Sequence, residues 1–350
     1  MQGAAGVPLR CALAPRPPRP SPPEMQMPLP FMRPSPAARR AAARGALLAG
    51  VAAAVLASPP AARADGLFVA HCSFSHRAHD DPIVFHGMRG ASHSHEFLGN
   101  DTTGASSTFR SLVRSRSTCL PDGDRSAYWV PTLFLRGRAV RPVAVSAYYQ
   151  DFFRYGRVQP FPAGLRMIAG DHRATRPQPP WIARWSCEQD QVGGGARLPR
   201  CGAERVTLRV SFPDCWDGRR LDSPDHRSHM AYNRRGGMEP GLQRCPSSHP
   251  VVVPQLQLNV TYQLHDGDGV RLASGSILTA HADFFDAWRP GALRKQVDGV
   301  LNAGRECHPL LGCMVLTGPS GEPVTARPRA RVDGRFYPPP RRPMAMPMHH

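Results

Sequence analysis

RVTLRVSF, residues 205–212, and QLQLNVTYQL, residues 255–264, decide the fold class. In the first, Val206, Leu208, Val210 and Phe212 alternate with polar residues; in the second, Leu256, Leu258 and Val260 do the same. A period of two places such residues on one face of a strand, so both segments read as β-strands with one apolar face. Val143 to Tyr149 (VAVSAYY) reads as another strand, and Val270 to Ile277 as a weaker one. HDGDG at 265–269 carries a hairpin turn signal. Pro and Gly interrupt almost every apolar run from 82 to 325, which favours short strands. One helix is expected late, over Asp286 to Ala303, with Leu293, Val297, Val300 and Leu301 at helical spacing, Pro290 near its first turn and Gly304 as its stop. The expected fold is mainly β: a single β-sandwich-like domain, long disulfide-fastened loops at 154–204 and 213–250, and that one late helix.

The ends read differently. Arg39, Arg40 and Arg44 precede an apolar run from Gly45 to Ala57 and an Ala62-Arg63-Ala64 cleavage motif. That is a signal peptide pattern, and the apolar run falls short of the ~20 residues that span a bilayer. Residues 1–64 are therefore expected to be a leader, 65–326 the globular domain, and 327–350 a disordered basic tail rich in Pro and Arg. The formal charge is +18, but the leader holds eight Arg and one Glu and the tail six Arg and one Asp, so most of the excess lies outside the domain. The domain shows no concentrated basic stripe, and no nucleic-acid partner is expected. Nine cysteines are present. Cys11 precedes the cleavage motif. The remaining eight, in an exported chain without a C-x-x-C pair, point to disulfides; Cys187–Cys201 and Cys307–Cys313 are the plausible local bridges, and the other pairings stay open. The expected location is secreted, periplasmic or cell-wall associated, with no transmembrane anchor after processing and a monomeric state.

Polar residues with chemical potential cluster in four stretches. They are Asp81 to Val84 with Ser92 to Asn100; Ser117 to Cys119 with Asp124 to Pro131; Phe212 to Gly218 with Leu221 to His229; and His281 to Trp288. His93 and His95 are two apart, as are His281 and Asp283, so each pair shares one face of a strand. Brought together, they give three imidazoles and a carboxylate, a donor set for a divalent ion, with zinc, copper or calcium considered. The same residues also suit metal-free acid–base work or structural hydrogen bonding. His226 and His229 can meet across a helical turn or lie in an exposed loop. Asp217 and Asp225 are carboxylate candidates, Asp217 equally a turn residue. Asp124 with Tyr128 and Trp129 can shape a sugar subsite or belong to a buried core. No G-x-S-x-G, H-E-x-x-H or P-loop is present, which removes support from serine-hydrolase, zincin and nucleotide-driven readings.

The order of these motifs resembles the DUF1996 family of secreted proteins of fungi and bacteria. The resemblance runs from Asp81-Pro82-Ile83-Val84 through His93-x-His95 and Gly99, Thr118-Cys119, Tyr128-Trp129-x-Pro131, Cys215-Trp216-Asp217-Gly218, the His226/His229 pair and Cys245-Pro246, to His281-x-Asp283-Phe284 and Trp288. It covers about residues 68–313, with His86 and Ala282 departing from the common pattern. Some relatives carry appended carbohydrate-binding modules, so the resemblance implies a polysaccharide or cell-wall glycan partner. The function expected is a secreted carbohydrate-active protein, a hydrolase whose cleft gathers His93, His95, Glu96, Asp217, His281 and Asp283, with a metal at His93, His95, His281 and Asp283. The alternatives are a non-catalytic glycan-binding protein and an extracellular metal-binding protein.

Overall fold

Two larger sheets and two small ones carry the chain in the computed structural model, which describes residues 65–151, 157–190, 194–233, 244–316 and 323–324. The leader with its cleavage motif, the end of the domain near 326 and the tail 327–350 lie outside the described residues. The first strands are β1 (Leu67–Cys72), β2 (Phe74–Ala78) and β3 (His95–Gly99), followed by helix α1 (Phe109–Arg114). Next come β4 (Ala127–Pro131), β5 (Leu133–Leu135), β6 (Arg138–Val140) and β7 (Pro142–Gln150). Then follow β8 (Arg166–Gly170), β9 (Ala183–Cys187), β10 (Val206–Ser211), β11 (Cys215–Trp216), β12 (Met230–Ala231) and β13 (Val251–Val252). The last are β14 (Gln255–Tyr262), β15 (Val270–Leu272), β16 (His281–Phe285), helix α2 (Ala292–Gln296), β17 (Arg305–His308), β18 (Gly312–Leu316) and β19 (Pro323–Val324).

The fold is mainly β, as the alternating segments require. β10, β14 and β7 are neighbours in an eight-stranded sheet ordered β19-β18-β17-β1-β7-β14-β10-β9. A five-stranded sheet, β2-β3-β4-β16-β8, packs against its apolar face. Val206, Leu208, Val210, Leu256, Leu258 and Val260 from the first sheet share one core with Leu98, Tyr128, Val130, Ala282 and Phe284 from the second. The sheets are pinned by polar contacts inside that core. The hydroxyls of Tyr128 and Tyr149 lie 2.6 Å apart, Tyr128 donates to the Asp124 carboxylate at 2.6 Å, and the Trp288 indole donates to the Tyr149 hydroxyl at 3.0 Å. The polar face of β10 is buried too: Arg209 donates to Ser186 Oγ and to the carbonyls of Glu188 and Asp190, holding the turn after β9.

Four sequence expectations change. HDGDG does not close a hairpin, because β15 pairs with β5 in a separate small sheet rather than with β14. The strand expected over Val270 to Ile277 stops at Leu272, and Ile277–Thr279 forms a 3-10 turn. The segment 154–204 is not one long loop, since it supplies β8 and β9 to the edges of the two large sheets. β8 (RMIAG) runs apolar without alternation, while β9 (ARWSC) does alternate, over one brief stretch between proline- and glycine-rich turns. The late helix starts at Ala292 rather than Asp286, then continues as a π-helical turn over Val297–Leu301. Burial of Trp288 in the core holds 286–289 out of the helix, and Gly291, at φ 78°, makes the turn into it. Its apolar face is as the periodicity predicts, with Leu293, Val297, Val300 and Leu301 all buried. Helix α1 gives no strong apolar period; a capping box between Thr108 and Ser111 starts it and buried Leu112 anchors it.

All eight cysteines of the domain are paired: Cys72–Cys119, Cys187–Cys201, Cys215–Cys245 and Cys307–Cys313. The two local bridges expected from spacing are among them. Thiol labelling of the denatured, unreduced mature protein is expected to give no uptake, with eight equivalents appearing only after reduction. Labelling without reductant would contradict the pairing. Among the described residues no helix is long and apolar enough to cross a membrane.

Candidate metal centre

The outer face of the five-stranded sheet holds the site. Register places His95 beside Pro131, and Asp283 beside Trp129, which in turn lies beside Phe97. Continuing that register by two residues sets His281 level with Pro131. His95 and His281 therefore flank one proline on the same face, two strands apart, and their ring centroids are 6.0 Å apart. His93 enters from the segment just before β3, with its ring 4.3 Å from His95 and 5.1 Å from His281. That segment is tied to the sheet by Ser94, whose hydroxyl meets Thr132 Oγ1 at 2.7 Å. One donor nitrogen from each of the three imidazoles lies within 4.8 Å of the other two.

Hydrogen bonding sets which nitrogens face inward. His95 Nδ1 donates to the Asp80 carbonyl at 3.0 Å, and His281 Nδ1 donates to the Thr279 carbonyl at 2.8 Å. The proton on Nδ1 leaves Nε2 with a lone pair, the arrangement that backbone carbonyls impose on metal-binding histidines. The Nε2 atoms of His93 and His95 are buried with no hydrogen-bond partner among the described residues. Leaving such atoms unpaired costs about 1–3 kcal/mol each, a cost that a bound water or ligand would offset.

Burial lowers the proton affinity of all three. His93 falls to about 4, through burial and then the nearby His172 and His79. His95 is held well below the ordinary value by burial and by His93 and His281. His281 falls to about 3, with burial the main cause. All three imidazoles are neutral at pH 7, the form that coordinates a metal. Asp283 shares their face, and one of its carboxylate oxygens is 3.9 Å from His281 Nε2, but it lies outside the mutually close trio. Burial, and then Asp81, push its carboxyl well above the usual range.

Gly170 of β8 pairs with His281 at φ 80°, where a Cβ would come within 2.4 Å of the Ala280 carbonyl oxygen and 2.8 Å of the His281 Cα. The absent side chain lets β8 support His281 at that distance. His172 and Arg227 border the same corner: the His172 ring is 5.9 Å from His281, and Arg227 donates to the Gly170 carbonyl at 2.8 Å. Sequence reasoning passed over both. His172 has no paired spacing, and Arg227 sat inside a stretch read for its histidines.

The remaining candidates lie elsewhere. Glu96 alternates with His95 and so faces the opposite side of the sheet, where Arg77 Nε donates to it at 2.6 Å. Asp124, Tyr128 and Trp129 are fully buried. The first two belong to the inter-sheet network, and Trp129 packs with Phe97 and Phe285 under the outer face. His229 has both ring nitrogens engaged, by Ser223 Oγ at 2.9 Å and the Arg166 carbonyl at 2.7 Å. His226 Nδ1 meets the Asp222 carboxylate at 3.0 Å, and Asp225 accepts from Ser223 Oγ and the N–H groups of Arg227 and Ser228. These contacts build the 222–229 turn.

Asp217 follows β11 and accepts the N–H groups of Arg219 and Arg220, while the Arg220 guanidinium donates to it at 2.6 Å. Burial pushes this carboxyl up, but those hydrogen bonds and the Arg220 charge outweigh it and hold it at about 2. The unfolded value is about 3.9, so between those limits the unfolded chain binds more protons and stability falls as pH falls. Wild type is expected to lose stability on acidification from pH 4 to pH 2, and Asp217→Asn to lose less. Denaturant titrations of both proteins across that window check this; equal losses would refute it.

The fold and site together define a mainly β, four-disulfide protein with a buried three-histidine cluster. Residues 81–288 match the family described as Domain of unknown function (DUF1996), and the chain belongs to that family. The matched span contains His93, His95, His281 and Asp283. The chain matches no curated protein and no solved structure.

Proposed function

We propose that this is an exported metal protein in which His93, His95 and His281 hold one zinc or copper ion. The convergence of three imidazole donors within 4.8 Å carries the reading. Nitrogen donors suit zinc and copper; calcium takes oxygen donors, so it drops out of the ions considered. Three protein ligands leave a further position for water or a ligand oxygen, the arrangement that supports Lewis-acid or hydrolytic chemistry. Asp283, beside His281, would act as a proton donor or acceptor at that position. A two-carboxylate glycosidase gains no support, because Glu96 and Asp217 are committed to arginines away from the trio. Metal-assisted action on a cell-wall glycan is the carbohydrate-active form of the proposal.

Export is supported by four disulfides and by the leader pattern before residue 65. Metal analysis of the mature protein after equilibration with zinc or copper and gel filtration tests the centre. Close to one equivalent per chain is expected. Failure to retain either ion would refute the proposal.

A further inference from the structure

Next to the histidine trio lies a cleft of about 460 Å³ with an unusual wall chemistry. Arg173, Arg176 and Arg227 line it, with Asp171 as its only acid. All three arginines are exposed, and none has a carboxylate within ion-pair distance among the described residues. Arg173 donates to the His172 ring at 3.1 Å and Arg227 to the Gly170 carbonyl, so two of the guanidiniums are positioned by neutral acceptors that leave their charge unspent. Several other arginines pair with acids, among them Arg77 with Glu96, Arg205 with Glu188 and Arg220 with Asp217. Three guanidiniums without an acid partner around one concavity offer an anion charge-assisted hydrogen bonds.

The rest of the wall narrows the anion. Tyr232 and Ile182 line the cleft, and the Trp181 ring meets Tyr232 edge-on at 5.1 Å with 37% of its surface exposed. The wall is preformed rather than loose. Gln178 donates to the carbonyls of Leu278 and Ala280 and accepts the Asp171 N–H, which locks the 171–178 turn onto the residues preceding β16. A braced cleft lined by the Tyr232 ring and three guanidiniums matches a sugar ring that bears a charge: a C–H face packs on the ring, and the acidic group takes the arginines. We infer that the cleft binds an acidic saccharide, a glycan carrying carboxylate or sulfate groups. Through Gly170, the strand partner of His281, the cleft adjoins the proposed metal centre, but its ligand chemistry stands independently of any metal.

Calorimetry on the full mature chain tests this with four probes: an oligogalacturonate, a sulfated oligosaccharide, a neutral oligosaccharide of equal length, and inorganic phosphate. At least one acidic oligosaccharide is expected to bind about tenfold or more tighter than the neutral one, and the better of the two identifies carboxylate or sulfate as the recognised group. Arg173→Gln with Arg176→Gln is expected to remove that preference; both side chains are exposed, so the fold is retained. Tyr232→Ala, which removes the ring that lines the cleft, is expected to weaken the saccharide. Equal binding of neutral and acidic probes, insensitivity to the double arginine variant, or phosphate binding as tight as the saccharides would overturn the inference. Repeating the titration on His95→Ala separates the two proposals, since saccharide binding should survive there while metal binding is lost.

Discussion

His95→Ala is expected to lower affinity for zinc or copper by more than about 100-fold, beyond the roughly 10–100-fold that loss of a mere outer partner of a metal ligand costs. His95 supplies the most enclosed of the three donors: it is 0% exposed, and its ring lies 4.3 Å from that of His93. A bound ion also stabilises the folded chain, by about 2.7 kcal/mol at a free concentration 100 times Kd. Wild type should therefore melt higher with added metal, and the variant should show no such shift. Truncating a buried imidazole costs stability in the absence of metal as well. The diagnostic quantity is thus the metal-dependent difference within each protein, read by calorimetry and equilibrium dialysis. His95→Gln, which nearly preserves volume, controls for the cavity. A variant that keeps both the melting shift and one bound equivalent would sink the metal centre.

Replacing Cys72 and Cys119 together by alanine is expected to destabilise the domain by about 4 kcal/mol, the loop-closure entropy for a loop of this length. The bridge spans 47 residues and joins β1 of the eight-stranded sheet to the segment leading into β4 of the five-stranded one. Without it the unfolded chain gains freedom, while the folded state still holds the two segments through the paired backbone hydrogen bonds of His71 and Leu120 and the Tyr128, Tyr149 and Trp288 contacts. The Cys307–Cys313 bridge closes just 6 residues between paired strands β17 and β18, so its loss should cost clearly less. Urea unfolding of the two double variants checks the order. A smaller effect for Cys72/Cys119 than for Cys307/Cys313 would refute the entropic account.

Period-two alternation marked β10 and β14 because each presents an apolar face to one core. It missed β8, whose RMIAG does not alternate, and β9, whose ARWSC alternates only briefly among turns, and it overextended the late helix because Trp288 is drawn into the core. Candidate ligands were visible as His-x-His and His-x-Asp, since a strand puts alternate residues on one face whatever its partners. The same rule hid the fate of Glu96: its adjacency to His95 in sequence places it on the other side of the sheet.

Composition and local pattern alone determined the β character, the cysteine pairing chemistry and the candidate imidazoles, because these depend on residue type and near-neighbour spacing. Strand order was decided only in three dimensions. Placing β4 between β3 and β16 set His95 and His281 on either side of Pro131, and the carbonyls of Asp80 and Thr279 then fixed their tautomers. Contacts between residues nearly two hundred positions apart arise from burying both sheets against one core, and no local spacing encodes that.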